Sequence, residues 1–535
     1  MDKDWTILQR HMGMEKRVSN LSIGDRRVSR FTSGGGQFVV AIAVMWASIA
    51  VAAAQQASAV LHEAINAQGG EQALRALRSV QFDAMGYRNM VEQSERPEGP
   101  YVTEFDRIAE LHDLVAGRFR RTLSSEVPPF PETSDTLVFT NGVGMRQMGE
   151  NKSAASLNLL QQMQESLLLS PERVLLTALN AANLHLEADA KLHGIVHRVV
   201  AFDLDGAQVR VYLNANAMLP TAVETSGPAA YSGYWSYLGD VTMRTWYSSW
   251  ALQKGGLHYP MQWNIERNGL PDRMLVISRL IFDGAFDEAG LAIPDDVRAQ
   301  APSRARSGDL ESLPLGFPNR PAFEIVPGVV FIPGSWNVTL VKQSDGVVVI
   351  EAPISSGYSA KVIEEACRHF PGVPIKAVVT TSDSWPHLAG IREYVARGIP
   401  VYALDLNREI LERVIGGRRV SKPDALARAP KEPAFHFVSS KTALGSGSNR
   451  LELFPLRGVT SERQMMAYFP EHRLLYGSDP FQKMSDTEYF TPQTVGEVVA
   501  AVEREHLAVD RFFMMHVDPT SWGELGKVLT GATQR

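Results

Sequence analysis

The chain changes texture near residue 302, and that break constrains its architecture more than any single motif. Between Pro302 and Pro321 lie Pro314 and Pro318 with charged and small residues, including SRARSGDLES at 303–312, which is linker composition. Upstream, helical patches give way to long alternating strands, whereas downstream short apolar strands interleave with helices. Such a chain needs two cores, and 535 residues is more than one core usually absorbs. Lys and Arg number 53 against 59 Asp and Glu, a net charge of -6, so no basic footprint for nucleic acid is present. The single cysteine, Cys367, excludes both an intramolecular disulfide and a cysteine-rich metal site. Any metal falls to histidine and carboxylate. No repeat of fixed period is visible, which argues against a solenoid or propeller.

The apolar run FVVAIAVMWASIAVAAA at 38–54 is 17 residues without a charge, at the lower edge of spanning length. Arg26, Arg27 and Arg30 precede it and Ala52-Ala53-Ala54 closes it, the layout of a secretory signal cleaved after Ala54. A signal anchor is the alternative. The 37 residues before the run are long for a signal n-region and put Met12 or Met14 forward as the start, while DRRVSRF at 25–31 faintly resembles a twin-arginine signal. The expectation is a periplasmic or secreted protein with no stable membrane span once residues 1–54 are removed.

Residues 55–302 are expected to form an antiparallel-sheet α+β domain. Val60, Leu61, Ala64 and Ile65 share one helical face, the helix stops at Gly69-Gly70, and a second helix runs through Leu157, Leu160, Leu167 and Leu168. Ser170-Pro171 reads as an N-cap with proline at the first helical position. Val209, Val211 and Leu213 then alternate with Arg210, Tyr212 and Asn214, and further strands surround Val241, Trp246, Met261 and Val276. Tyr231, Tyr234, Trp235, Tyr237, Trp246, Tyr247 and Trp250 read first as core-filling strand residues, with an apolar or sugar-like ligand groove as the alternative. Residues 303–321 form the linker.

Residues 322–535 are expected to form an α/β layered domain. VVFI at 329–332, VTLV at 338–341, a Ser-Asp-Gly turn and VVVIEAP at 347–353 are consecutive strands, followed by a helix through Val362, Ile363 and Ala366. The strand at 377–381, a loop and a helix from about Gly390 come next. With PIKAVVTTSDSWPHLAG, MMAYFPEHRLLYGSDPF and FFMMHVDPTSW, this segment resembles the metallo-β-lactamase superfamily. The resemblance implies an αββα fold and metal-dependent hydrolysis of an ester, thioester, amide or phosphoester.

It also implies a damaged metal site. Where the family has HxHxDH, the chain reads Ser382-Asp383-Ser384-Trp385-Pro386-His387, and the later family histidine is Thr460. His387, Asp479 and His516 remain, three of seven ligand positions. The first metal position is expected empty, because hydroxyls bind zinc too weakly to replace imidazole. The second keeps three protein ligands, the complement of a one-zinc catalytic site, with Asp383 as ligand or general base. The alternative is a catalytically silent binding or scaffold protein in which the first domain takes an apolar ligand. Pro386 lacks an N–H and restricts Trp385, which puts the direction of His387 in question. Of the remaining candidates, His185, His193 and His197 read as surface residues of a hairpin edge, and His369, His436, His472 and His506 match no ligand position. FDLDGAQ at 202–208 reads as a turn between strands, since it lacks the spaced oxygens of a calcium loop. Cys367 reads as a small packing residue.

Overall fold

The computed structural model describes residues 55–91, 99, 101–127, 132–227, 237–304, 310–480, 482–483, 489–490 and 492–527. The leader at 1–54 and its expected cleavage point lie outside the described residues, as do Tyr231, Tyr234 and Trp235. Among the described residues no helix is long and apolar enough to cross a membrane.

In chain order the first elements are α1 (55–68), α2 (Glu71–Ala76), β1 (Ser79–Asn89), β2 (Thr103–Asp113), β3 (Arg118–Glu126), β4 (Thr133–Thr140), β5 (Val143–Met148) and β6 (Asn151–Ala154). Next come α3 (Leu157–Leu168), α4 (Val174–Leu179), β7 (His185–Leu186), β8 (Ala190–Leu192), β9 (Ile195–Leu204), β10 (Ala207–Asn214) and β11 (Pro220–Gly227). The long strands β12 (Val241–Leu252), β13 (His258–Arg267) and β14 (Leu270–Phe282) and the helix α5 (Asp295–Arg304) complete this stretch. These strands make a 14-stranded sheet in the order β6-β5-β4-β3-β2-β1-β14-β13-β12-β11-β10-β9-β7, with β8 also on β9.

Two compact units divide the chain. One takes the described residues up to Leu77, Leu168–Glu224 and Tyr247–Pro260, and the other takes the rest. In the first unit α1 buries Ala57, Val60, Leu61, Ala64 and Ile65 along one face, the three-and-four spacing of an amphipathic helix. Gly69, at φ 132°, ends the run; a side chain there would come within 2.7 Å of the Gly256 carbonyl. β9 and β10 pair as a hairpin through Asp205 and Gly206, at φ 50° and 85°, the two-residue turn that suits the twist of the strands. Two expectations need correction here. Ser170-Pro171 makes a turn, with Val174 N–H on the Ser170 carbonyl at 2.8 Å, and the helix begins only at Val174. His197 is buried, its ring 2.9 Å from the Ile195 carbonyl and 2.9 Å from Thr221 Oγ1, so it is a satisfied interior histidine and not a surface one.

The second unit contains β1–β6 and everything from Met261 onwards. Its carboxyl-terminal part opens with β15 (Phe323–Val326), β16 (Val329–Ile332), β17 (Val338–Gln343), β18 (Gly346–Ile350), α6 (Ser356–His369), β19 (Ile375–Thr380), α7 (Trp385–Leu388) and α8 (Ile391–Ala396). β20 (Val401–Leu404), α9 (Arg408–Gly416), α10 (Ala425–Arg428), β21 (Phe435–Val438), β22 (Thr442–Leu444), β23 (Leu451–Pro455), β24 (Met465–Phe469) and β25 (Leu474–Tyr476) follow. The chain closes with a hairpin of β26 (Gln482–Lys483) and β27 (Tyr489–Phe490), then α11 (Pro492–Arg504), β28 (Arg511–Met514) and β29 (Val517–Ser521).

β15 to β21 form a seven-stranded sheet in sequence order, antiparallel up to β18 and parallel from β18 to β21. The six-stranded sheet runs β22-β23-β24-β25-β28-β29, and β25 lies parallel to β28. Val348, Ile350, Ala377 and Val379 of the first sheet share one core with Leu453, Ala467, Tyr476 and Phe513 of the second. The other face of the seven-stranded sheet, carrying Leu340, Val349 and Val378, is equally buried, as a sheet with helical crossovers requires. The outer face of the six-stranded sheet packs Met466, Leu475 and Phe512 against Val495, Val498 and Val502 of α11. Cys367 on α6 is exposed, contrary to its reading as a packing residue.

Candidate functional site

Four side chains meet where parallel strands end. Glu351 follows β18, His387 follows β19 on α7, Asp479 follows β25, and His516 sits in the turn after β28. Carboxyl ends of parallel strands are where α/β folds place ligand sites, because the strands stop there and the connections open outwards. The edges are tied by main-chain bonds: Ala352 N–H to the His387 carbonyl at 3.0 Å, Gly477 N–H to Phe513 at 3.0 Å and Met515 N–H to Ser478 at 3.0 Å.

Pro386 lies in the first turn of α7, where a missing N–H costs nothing, and His387 is turned fully inside. Its Nδ1 is 3.0 Å from Glu351 Oε2 and its Nε2 is 3.5 Å from Asp479 Oδ2. Asp479 Oδ1 in turn stands 3.4 Å from His516 Nε2, and both of these side chains keep some contact with solvent. Burial disfavours the charged imidazole of His387, but Glu351 and Asp479 outweigh it and hold the ring's pKa up at about 10. For Asp479, burial works against the charged form, while His516 and His387 hold the carboxyl below its usual range.

Glu351 was not legible as a site residue: in VVVIEAP it is one charge after an apolar strand. Yet it is wholly buried, at φ 79°, and accepts the Tyr476 hydroxyl at 2.9 Å and the Thr381 hydroxyl on Oε1. Asp383 stays buried on the loop before α7, 3.5 Å from Ser382 Oγ. Ser382 Oγ accepts Ser384 N–H at 3.3 Å. Thr460 and its neighbour Ser461 are taken by Glu497 of α11: Thr460 donates from N and Oγ1 at 3.0 and 2.9 Å, and Ser461 from N and Oγ at 2.9 and 2.5 Å. Ser384 Oγ lies 3.4 Å from Ser382 Oγ, so the hydroxyls at the three expected histidine positions are engaged within the protein.

Among the described residues no group of three or more His, Cys, Asp or Glu side chains is assembled as a metal site. The row His387, Asp479, His516 comes nearest in donor chemistry, with two imidazoles and a carboxylate. Its separations of 3.5 and 3.4 Å are long for a charge-assisted hydrogen bond. They approach the roughly 3.3 Å between neighbouring donors of a tetrahedral ion with ~2.0–2.1 Å bonds. His387 Nε2 and Asp479 Oδ1 are buried without hydrogen-bond geometry to any partner. The two contacts end on different oxygens of Asp479, and a protonated His387 has no lone pair to offer, so the row stands in this structure as an ion-paired chain and not as an assembled metal site.

No family model matches the chain, and no curated protein matches it. Among solved structures, an inverting sec-alkylsulfatase from a Pseudomonas species, Pisa1, is similar at 18% identity over 40% of this chain and 40% of that one, with a TM-score of 0.31. The DIM-1 metallo-β-lactamase is similar at 15% identity over 40% of this chain and 96% of that one, TM-score 0.31. A metallo-β-lactamase from Pontibacter korlensis matches at 15% identity over 40% and 99%, TM-score 0.32. The chain thus spans 40% of the sulfatase and nearly all of the two lactamases. About 40% of the chain is distantly similar in structure to proteins of metallo-β-lactamase fold, beside the 14-stranded antiparallel sheet region. The expected membership of the carboxyl-terminal segment in that superfamily, with a degenerate HxHxDH motif, is corrected by these findings. No family model supports it, and matches this distant do not establish where in the chain the similar region lies.

Proposed function

We propose that the carboxyl-terminal sandwich carries a hydrolytic site at which His387, Asp479 and His516 hold one divalent cation, zinc by the character of the donors. The observation that carries this reading is the spacing of the row, 3.5 and 3.4 Å, with two buried donor atoms left unbonded. Such an ion supplies Lewis-acid polarisation of an ester, amide or phosphoester and lowers the pKa of water. The protein's part is to orient. Asp479 stands between the two histidines, Asp479 and His516 are the members reached from solvent, and Asp383 on the neighbouring loop is the carboxylate assigned to proton transfer. The arginine-flanked apolar run at 38–54 supports placement in the periplasm or outside the cell.

A second reading is favoured by the charge balance. With Glu351 and Asp479 on either side, a protonated His387 satisfies the site by itself, and the domain then serves as a binding or scaffold module. Elemental analysis of the purified mature protein, reloaded with zinc, iron or manganese and dialysed, separates the two. The first reading expects about one ion per chain in wild type and loss of it in His387→Ala and His516→Ala, with folding checked by circular dichroism. A wild type that retains no metal rejects the hydrolase reading; metal retained equally by both variants rejects this site.

A further inference from the structure

Residues 237–240, just before β12 of the large sheet, lie against the loop 417–424 between α9 and α10, and both segments belong to the second unit. Tyr237 and Leu238 are buried, and Asp240 N–H donates to the Arg418 carbonyl at 2.6 Å. The contact is reciprocal. The Asp240 carboxylate accepts Val420 N–H at 2.7 Å and Ser421 N–H at 3.2 Å, and the Tyr237 carbonyl accepts Arg419 Nη2 at 2.9 Å. Each backbone carries a glycine where the two meet. A side chain on Gly239 would stand 2.4 Å from the Arg418 carbonyl oxygen, and one on Gly417 would stand 2.5 Å from that of Leu238. Gly239 also has φ 106°, a conformation that a side chain strains.

Behind this contact two guanidinium groups share one carboxylate. Arg392 of α8 is buried and donates to Asp424 from Nε and Nη2 at 2.5 and 3.0 Å, while Arg419 Nε lies 3.1 Å from the same carboxylate. Arg392 also donates to the Val414 carbonyl at 3.1 Å and to that of Ile415, at the end of α9. Burial and the neighbouring Arg392 both disfavour the charge of Arg419, and Asp424, Glu311 and Asp240 oppose them. Asp240 thus does two things at once: it holds two consecutive amides of the loop and adds a negative charge beside a crowded pair of arginines. Without it, Arg392 and Arg419 compete for Asp424 in a loop that has lost its acceptor.

We infer that residues 237–240 are a strap that couples the large sheet to α8: they fix the loop 417–424, the loop presents Asp424, and Asp424 fixes Arg392. Because α8 follows directly on α7, which carries His387, the strap bears on the placement of the whole 385–396 segment. The coupling runs through a contiguous set of hydrogen bonds and ion pairs, the kind of link that carries energy between distant elements. It holds whether or not an ion binds near His387.

The test is hydrogen exchange of the full chain read by mass spectrometry, with Asp240→Ala and Gly239→Val beside wild type. Peptides over 417–424 and over 385–396 should exchange at least about 10-fold faster in both variants, while peptides of α11 keep the wild-type rate. Unchanged exchange over 417–424 overturns the strap, and faster exchange there with 385–396 unchanged overturns the coupling. Should either variant unfold as a whole, which faster exchange in α11 reveals, wild type decides. Val420 and Ser421 amides slowed at least about 10-fold relative to an unstructured peptide support the strap, and amides that exchange freely overturn it.

Discussion

Glu110 shows at the scale of one residue how the large sheet tolerates charge. In β2 one face buries Asp106, Ile108, Glu110 and His112, and Asp113 at the strand end is buried too, whereas Phe105 on the opposite face is 56% exposed. Hydropathy alone would put those faces the other way round. Arg121 from β3 donates to Glu110 Oε2, and His112 Nε2 lies 2.8 Å from Oε1. Burial disfavours the carboxylate, and Arg121 and His112 overcome it, pulling the pKa from 4.5 down to about 2. A folded pKa below the unfolded one contributes stability that is fully present above pH 4.5 and is lost as pH falls towards 2. Urea unfolding between pH 6 and pH 2.5 should show a midpoint that falls below pH 4.5 in wild type, and a flatter profile in Glu110→Gln. Equal slopes in the two proteins would reject the assignment. The same lesson applies to Glu351: a buried acid is chosen by partners from other strands, which no local pattern displays.

Helix α11 and the loop at 457–461 form a unit at the scale of elements. Glu497 takes four hydrogen bonds from Thr460 and Ser461, and a side chain on Gly458 would come within 1.8 Å of Glu497 Oε2, so a larger residue there displaces the carboxylate from these bonds. Glu497→Ala leaves four donors without their acceptor, and a loss of about 2–3 kcal/mol is expected in denaturant unfolding. An unchanged midpoint would mean that water replaces the carboxylate at no cost. The helices and strands themselves were largely readable: the apolar runs of β16, β17 and β18, the α3 stripe and the alternation of β10 each have the period of the element they form. Connections were less so. Ser170-Pro171 has the letters of a helix start, but the chain turns once more before α4 begins.

Across the whole molecule the decisive event is the closing of the seven-stranded and six-stranded sheets on one core. Phe513 is fully buried there, its ring 5.9 Å from Phe331 and 5.1 Å from Tyr476, and Tyr476 is the residue that reaches Glu351. Phe513→Ala should cost about 3–5 kcal/mol, read from chemical unfolding, and a cost near zero would show that the two sheets do not share this core. What the sequence determined by itself is local: the period of each strand and helix, the proline-marked stretch at 302–321, the lack of thiol ligands, and the hydroxyl residues at 382, 384 and 460. Only the tertiary structure decided that residues 351, 387, 479 and 516 meet at one edge, that His387 points inward despite Pro386, and which face of β2 is buried. The reason is physical: periodicity follows from backbone geometry within a few residues, whereas a side chain's neighbours depend on crossovers that join strands far apart in the chain.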